Sequence, residues 1–351
     1  MRKKMDIKSM TLEELKEELK QRGLPAFRAG QVYQWMHQKL AAGFDDMTNL
    51  SKELRQELKN SYAYTCLEPV RVQESKLDGT KKFLFRLADG NLVESVFMRY
   101  QHGNSVCISS QVGCKMGCRF CASTLDGWER NLLPSEMLDQ IYAITRSTGE
   151  RISNVVVMGT GEPLDNLDYV IRFIRLLTNE DGLHISQRNI TVSTCGLVPQ
   201  INKLAEENLQ ITLALSLHAT TNEKRKELMP IANTYALDEV LKACGSYYKK
   251  TGRRITFEYS LVAGVNDTQT DAQELIKIAK AYAGHVNLIP VNPIKERDYK
   301  RGSRQEILAF KNKLEKNGIN VTIRREMGQD IDGACGQLRR RMIQDAEEKE
   351  T

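Results

Sequence analysis

No stretch of this 351-residue sequence approaches the roughly 20 consecutive apolar residues that a membrane helix needs. Its opening, Met1-Arg2-Lys3-Lys4-Met5-Asp6, leads directly into polar sequence without an apolar h-region, so no secretory signal is expected. Low-complexity segments and a solenoid period are also missing. Hydrophobic residues at 41% and charged residues at 27% exclude wholesale disorder and a collagen-like fibre. Neither sign of charge dominates: 51 Lys and Arg against 45 Asp and Glu leave +6, which permits a nucleic-acid partner without demanding one. The length suits about two domains, or one large α/β barrel with an appendage. The expectation is a cytoplasmic, monomeric enzyme with no membrane partner.

What the chain does have is eight cysteines, unevenly placed. In a cytosolic chain of this size a disulfide framework is not the natural reading. Cys107, Cys114, Cys118 and Cys121 crowd into one short stretch, whereas Cys66, Cys195, Cys244 and Cys335 are scattered.

Residues 1–65 read as a small helical domain. Thr11-Leu12-Glu13-Glu14 is a capping box, and Leu12, Leu15 and Leu19 recur at helical spacing before a stop at Gly23. Further helices are expected over 31–40 and 51–60. Residues 66–100 read as a β-ribbon, with turn signals at Asp78-Gly79 and Asp89-Gly90 and strand formers in Phe83-Leu84-Phe85 and from Leu92 to Met98. Over 101–335 a short strand followed by a helix repeats six times, which implies parallel strands joined by right-handed crossovers. The strands are expected at 105–109, 154–158, 189–193, 211–217, 255–261 and 286–290, with a further one at 321–325. Helices are expected at 135–147, 167–177, 198–208, 237–248, 269–282 and 304–317. A partial (β/α)6 barrel or an open doubly wound sheet fits this pattern. Residues 336–351 form a C-terminal tail.

The sharpest feature is Cys114-Lys115-Met116-Gly117-Cys118-Arg119-Phe120-Cys121, placed in a loop after the first strand of the repeat. Three cysteines in a core loop is the bland reading. Zinc wants a fourth ligand and usually two C-x2-C arms; no second pair exists, although Cys107 could supply a fourth thiolate. A [4Fe-4S] cluster held by Cys114, Cys118 and Cys121 is the remaining reading, and it leaves one iron open for a small-molecule chelator.

Here the sequence resembles the radical SAM superfamily, whose hallmark is C-x3-C-x-aromatic-C with Phe120 in the aromatic slot. The resemblance implies that S-adenosylmethionine chelates the open iron and is cleaved by one electron to a 5′-deoxyadenosyl radical. It also implies the partial-barrel form of the α/β fold. In such folds the chemistry sits at the C-terminal ends of the strands. There the sequence places Gly159-Thr160-Gly161-Glu162-Pro163, Ser193-Thr194-Cys195-Gly196, Ser216-Leu217-His218 and Asn292-Pro293. Singly each is a bland turn or cap. In register with the cysteine loop, Gly161, Glu162, Ser193, Ser216, Leu217, His218 and Asn292 become candidates for an S-adenosylmethionine pocket.

Four longer pieces narrow the likeness: Cys107 to Cys114, Met158 to Leu164, Leu215 to Ala219 and Gly328 to Leu338. With them the chain resembles, nearly end to end, the RlmN/Cfr family of radical SAM RNA adenine methyltransferases. Thr160 departs from the Met usual in that family, and Glu162-Pro163-Leu164 favours the C2-methylating branch over the C8 branch. Adenine C2 is electron-poor and flanked by two nitrogens, so it cannot attack a sulfonium methyl, and a radical route is required. The resemblance implies that Cys335 takes a methyl from one S-adenosylmethionine. A second molecule activates that methyl, which adds to the adenine. Glu94 then removes the C2 proton, and Cys107 attacks the Cys335 sulfur, leaving a disulfide and the free methylated base. It further implies 23S rRNA and tRNA as substrates and an electron donor such as flavodoxin. Read on its own, Glu94 is a strand-surface carboxylate and Cys335 a small buried hydrophobe. The Arg339-Arg340-Arg341 run is a solvated face or, with Arg324 and Arg325, a contact for RNA phosphates. Cys66, Cys195 and Cys244 read as structural, Cys195 ambiguously so. The rivals are the C8 enzyme and a zinc-stabilised RNA-binding protein without catalysis.

Overall fold

The Thr11 hydroxyl accepts the backbone N–H of Glu14 while the Glu14 carboxylate accepts that of Thr11, which starts helix α1 (Leu12–Gln21). The computed structural model describes residues 4–291, 298–331 and 336–342. Leu12, Leu15 and Leu19 are buried, as their spacing predicts. Helix α2 (Ala26–His37) begins earlier than the sequence suggested, because Pro25 sits at its N-cap in extended conformation. Helix α3 (Lys52–Ser61) is capped by Ser51.

The ribbon follows: β1 (Pro69–Glu74), β2 (Lys81–Arg86) and β3 (Leu92–Met98) pair antiparallel, and β3 pairs antiparallel with β4 (Asn104–Ile108). A two-stranded hairpin of β5 (Gln111–Gly113) and β6 (Trp128–Asn131) encloses the cysteine loop. The alternation then runs α4 (Pro134–Thr148), β7 (Ile152–Val157), α5 (Leu167–Thr178), β8 (Ile190–Thr194), α6 (Val198–Glu206), β9 (Thr212–Ser216), α7 (Asn222–Leu228) and α8 (Leu237–Thr251). It ends with β10 (Thr256–Leu261), α9 (Gln269–Ala281), β11 (His285–Pro290), α10 (Arg304–Lys316) and β12 (Val321–Ile323). No helix among the described residues is long and apolar enough to cross a membrane.

Ten strands form one sheet in the linear order β1-β2-β3-β4-β7-β8-β9-β10-β11-β12. From β4 onward every pairing is parallel. The expected strand–helix repeat is therefore present, at nearly the expected positions. Two elements escaped the sequence reading. Helix α7 is one polar stretch, Asn222-Glu223-Lys224-Arg225-Lys226-Glu227-Leu228, with no apolar period to mark it. The β5–β6 hairpin has a long loop between its strands instead of a short turn.

The helical N-terminal unit is tied to the core through Asp139 on α4. This fully buried carboxylate accepts from Lys8 Nζ at 2.5 Å, the Leu67 N–H at 2.5 Å and Arg146 Nη2 at 3.0 Å.

Candidate active site

The C-terminal ends of the parallel strands surround a cavity of about 250 Å³. Cys114, Cys118 and Cys121 line one side of it, on the loop that the β5–β6 hairpin presents. Gly161, Glu162, Ser193, Ser216 and His218 line the side formed by the ends of β7, β8 and β9. Of the expected cofactor residues, Leu217 alone among those described does not line it: its side chain is fully buried in the hydrophobic core. Asn292 and Cys335 lie outside the described residues.

Glu162 is 4% exposed, and both its oxygens are engaged. Oε2 accepts the Cys195 N–H at 2.8 Å, and Oε1 accepts the Leu164 N–H at 3.1 Å. Burial raises its carboxyl above the ordinary value. A carboxylate has about four lone-pair directions, so Glu162 still has acceptor capacity towards the cavity. A Cβ on Gly159 would stand 2.7 Å from the Ile108 carbonyl, and one on Gly161 2.6 Å from the Gln111 side chain. The missing side chains let this loop close against the start of the cysteine hairpin, and both glycines also line the cavity.

Ser193 and Ser216 hydroxyls face each other at 3.4 Å across β8 and β9. His218 is held at φ +53, with Nδ1 accepting the Ser260 N–H at 2.9 Å. Burial pushes its imidazole down to about 3, so the ring is neutral. Its edge meets Phe120, the aromatic of the cysteine motif, at a centroid distance of 4.6 Å.

The three motif thiols fit an iron–sulfur cluster. Burial, and then the neighbouring thiols, raise Cys118 well above its ordinary value, and burial pushes Cys114 up to about 12. Buried thiols this close cannot all ionise without a cationic partner. Among the described residues no three His, Cys, Asp or Glu side chains converge on a single-ion site. Three thiols on one loop suit a cluster that takes one thiolate per iron better than one zinc ion, which wants a fourth ligand.

Sequence reasoning missed two groups here, Glu258 and Arg225, and left a third, Cys195, ambiguous. Glu258 on β10 lines the cavity while 5% exposed, and its Oε2 accepts from Asn287 Nδ2 at 2.8 Å. Arg225 on α7 is fully buried; Nη2 donates to the Cys195 carbonyl at 2.6 Å, but Nε and Nη1 have no partner among the described residues. Cys195 lines the cavity, and burial holds its thiol well above the ordinary value. A carboxylate inside a strand and an arginine inside a polar helix carry no local signal of such placement.

Cys107 and Glu94 lie on the ribbon side. Val96 stands opposite Cys107, and Leu84 opposite Glu94, so Cys107, Val96 and Glu94 share one face of the sheet. Cys107 is 3% exposed and packs with Val96 and Met98. Met158 touches this cluster and also lines the cavity. Glu94 is no surface carboxylate: it is 4% exposed and pairs with Lys82 Nζ at 3.0 Å. Of the arginine run, Arg339 is buried and pairs with Asp126 at 3.2 Å, which removes it from any solvated face. Arg341 is exposed, as are Arg325 and Arg324, and Arg324 reaches the cavity lining.

A cysteine loop beside a cavity at parallel strand ends, on this sheet, is the arrangement of a radical SAM protein. The profile described as "Radical SAM superfamily" matches residues 108–279, and that described as "Ribosomal RNA large subunit methyltransferase N-terminal domain" matches residues 5–63. A crystal structure of a radical SAM methyltransferase from Sphaerobacter thermophilus superposes with a TM-score of 0.91 at 43% identity, covering 95% of this chain and 98% of that one. A Lachnospira eligens protein called "Probable dual-specificity RNA methyltransferase RlmN" is 65% identical over 98% of this chain and 99% of its own length. One of the same name from Lachnoclostridium phytofermentans is 63% identical over 96% of this chain and 95% of its own. The chain belongs to the RlmN family. Its superfamily implies a [4Fe-4S] cluster and S-adenosylmethionine as cofactors.

Proposed function

We propose that this protein methylates carbon 2 of adenine in RNA, both 23S rRNA and tRNA, using Cys335 as the methyl carrier. The observation that carries the reading is the juxtaposition across Met158: a cavity ringed by the motif cysteines on one side, and Cys107 and Glu94 on one sheet face on the other. Identities of 65% and 63% over nearly the full length to relatives named as probable dual-specificity RNA methyltransferases support it.

Cys114, Cys118 and Cys121 would hold the cluster, which supplies the single electron and the open iron needed to activate S-adenosylmethionine. Glu162 offers its remaining lone pairs to the ligand's ammonium group, while Ser193, Ser216 and neutral His218 offer polar edges for its ribose and adenine. Cys335 accepts a methyl, and two molecules of S-adenosylmethionine are used per turnover. Once Cys335 is joined to the base through that carbon, the adduct carries one unpaired electron; Glu94 takes the C2 proton, and that electron would return to the cluster, which leaves a closed-shell thioether. The Cys107 thiolate then attacks the Cys335 sulfur. The carbon–sulfur bond breaks, its electron pair passes to the carbon and is protonated, and a Cys107–Cys335 disulfide remains. An electron donor of flavodoxin type restores the dithiol and the cluster. Arg324, Arg325 and Arg341 supply positive charge for RNA phosphates near the cavity.

The test sets two variants side by side on RNA. Cys335→Ala should give neither methylation nor a crosslink. Cys107→Ala should stall as a protein–RNA adduct that survives denaturing gels and reductant and disappears with nuclease. An adduct from Cys335→Ala, or multiple turnover by Cys107→Ala, overturns the roles. Nucleoside mass spectrometry showing 8-methyladenosine in place of 2-methyladenosine overturns the position.

A further inference from the structure

The sheet face that carries Glu94 and Cys107 is covered by the last described segments of the chain. Met327 packs against Val96, Met98 and Cys107. Just before residue 332, the Gly328 N–H donates to Asp78 Oδ2 at 2.9 Å. Asp330 accepts the Ser75 hydroxyl at 2.5 Å and the Lys76 N–H at 2.8 Å. All three ribbon partners lie in the β1–β2 turn. Just after residue 335, the Gly336 N–H donates to Glu94 Oε2 at 2.7 Å and the Arg339 N–H to Oε1 at 2.5 Å. Glu94 therefore caps a helical turn at 337–342, satisfying N–H groups that a helix start leaves without partners. Its charge is balanced by Lys82, whose side chain is fully buried 3.0 Å away. The Arg339 guanidinium, paired with Asp126, ties the same turn to the cysteine loop.

We infer that the antiparallel ribbon anchors the chain on both sides of residues 332–335, at 328–330 and at 336–339, with Lys82, Asp78 and Asp330 as positioning residues. This rests on the reading of Cys335 as methyl carrier. The physical reason for Lys82 is direct. A buried carboxylate without a cation is strongly disfavoured in its charged form. Only the charged form accepts both N–H groups through charge-assisted bonds. The arrangement also couples two steps. When Glu94 takes the C2 proton it becomes neutral, its attraction to Lys82 falls, and its hold on Gly336 and Arg339 weakens. Proton transfer to Glu94 is thereby coupled to the hold on residues 336–339. The groups facing Glu94 are the Lys82 ammonium on β2 and the Gly336 and Arg339 N–H groups. The Arg339–Asp126 pair stands behind them.

Hydrogen–deuterium exchange on the full, cluster-reconstituted chain tests this, read on peptides covering 326–342. Glu94→Gln, a neutral mimic of the protonated acid, and Lys82→Met should each speed exchange over 336–342 by about tenfold. Lys82→Arg should restore protection, and exposed Asp330→Asn should speed exchange over 326–331. In the same variants, diamide-driven formation of the Cys107–Cys335 disulfide should become faster, because residues 336–339 are no longer held to Glu94. Unchanged exchange in both Glu94→Gln and Lys82→Met overturns the anchoring. So does an equal loss of protection in β7, β8 and β9, which would mean general destabilisation. If a Lys82 variant does not fold, Asp330→Asn decides alone, by local loss or none. A wild-type protein whose Cys335 is never methylated, by peptide mass, would sink the methyl-carrier reading and leave the exchange result standing.

Discussion

Asp139 offers a sharp test of how the N-terminal helices are held. In Asp139→Asn the shape is kept, but the carboxylate that balances Lys8 is lost. Lys8 and Asp139 are both 0% exposed, so the ammonium cannot turn to water. It would keep the Thr65 carbonyl at 2.5 Å, the amide oxygen left at position 139, and the faces of Tyr64 and Tyr142, 4.4 and 5.7 Å from the ring centroids, but of its carboxylate partners only the more distant Asp6. Removing one partner of a buried ion pair costs about 3–5 kcal/mol. The loss for Arg146 is small, since that side chain is 24% exposed and can be solvated. About 4 kcal/mol is a large fraction of the stability of an ordinary domain, and should lower the unfolding midpoint by roughly 10 °C. Circular dichroism on the apoprotein gives the midpoint, and limited proteolysis near residues 63–68 reports release of the N-terminal unit. Lys8→Met combined with Asp139→Asn should recover most of the loss, because no uncompensated charge is then buried. A single variant within about 2 °C of wild type, still resistant to protease, would refute the reasoning. So would a double variant no better than the single one.

Arg225→Met removes a buried cation that has no ion-pair partner among the described residues. Bonded to the carbonyl of cavity-lining Cys195, its charge would balance a bound anionic cluster; the apoprotein midpoint should therefore hold or rise, whereas the reconstituted protein should retain its cluster less well and show a more negative midpoint potential, and the same loss of stability in both forms would overturn that role. Burial holds both His218 and His37 down to about 3. The stability their neutral rings contribute is therefore full above the unfolded value near 6.5 and falls away as pH drops from there towards 3. NMR should show both rings neutral at pH 5, and a midpoint near 6.5 for either would contradict their burial.

What could be read from the sequence is what local chemistry writes locally. Thr11 and Glu14, or Asn154 to Met158 between polar flanks, announce an element because the signal and its cause lie within a few residues. The cysteine triplet is legible for the same reason: its three ligands share one loop. Register and long-range partners are not written that way. Lys82 in Lys81-Lys82-Phe83-Leu84 reads as a solvated strand end, and only the β2–β3–β4 pairing turns it inward beside Glu94. Glu258 in Thr256-Phe257-Glu258-Tyr259 carries no local mark of its place, because the cavity that it faces is assembled from seven other segments. Gly159 and Gly161 were legible as necessary glycines, but one reason for them was not: the backbone they must accommodate, Ile108 to Gln111, is some fifty residues away in sequence. Arg339 looked solvated in an arginine run until its partner Asp126 was visible.

The position of β4 explains how one sheet can serve two chemistries. On one side β4 pairs parallel with β7, and the parallel array beyond it opens at its C-terminal ends into the cofactor cavity. On the other side it pairs antiparallel with β3, whose face carries Glu94. Parallel strands need crossovers, so their ends are crowded with loops that can line a pocket. An antiparallel ribbon has short turns and leaves a face free to receive another segment of chain. Cys107 sits on the one strand that belongs to both arrangements, with Val96 of the ribbon opposite it on one side and Val156 of the array on the other. It touches both arrangements at once: its cluster partners Val96 and Met98 belong to the ribbon, while Met158, packed against the same cluster, lines the cavity at the strand ends, and no strand further into the array has the ribbon as its neighbour.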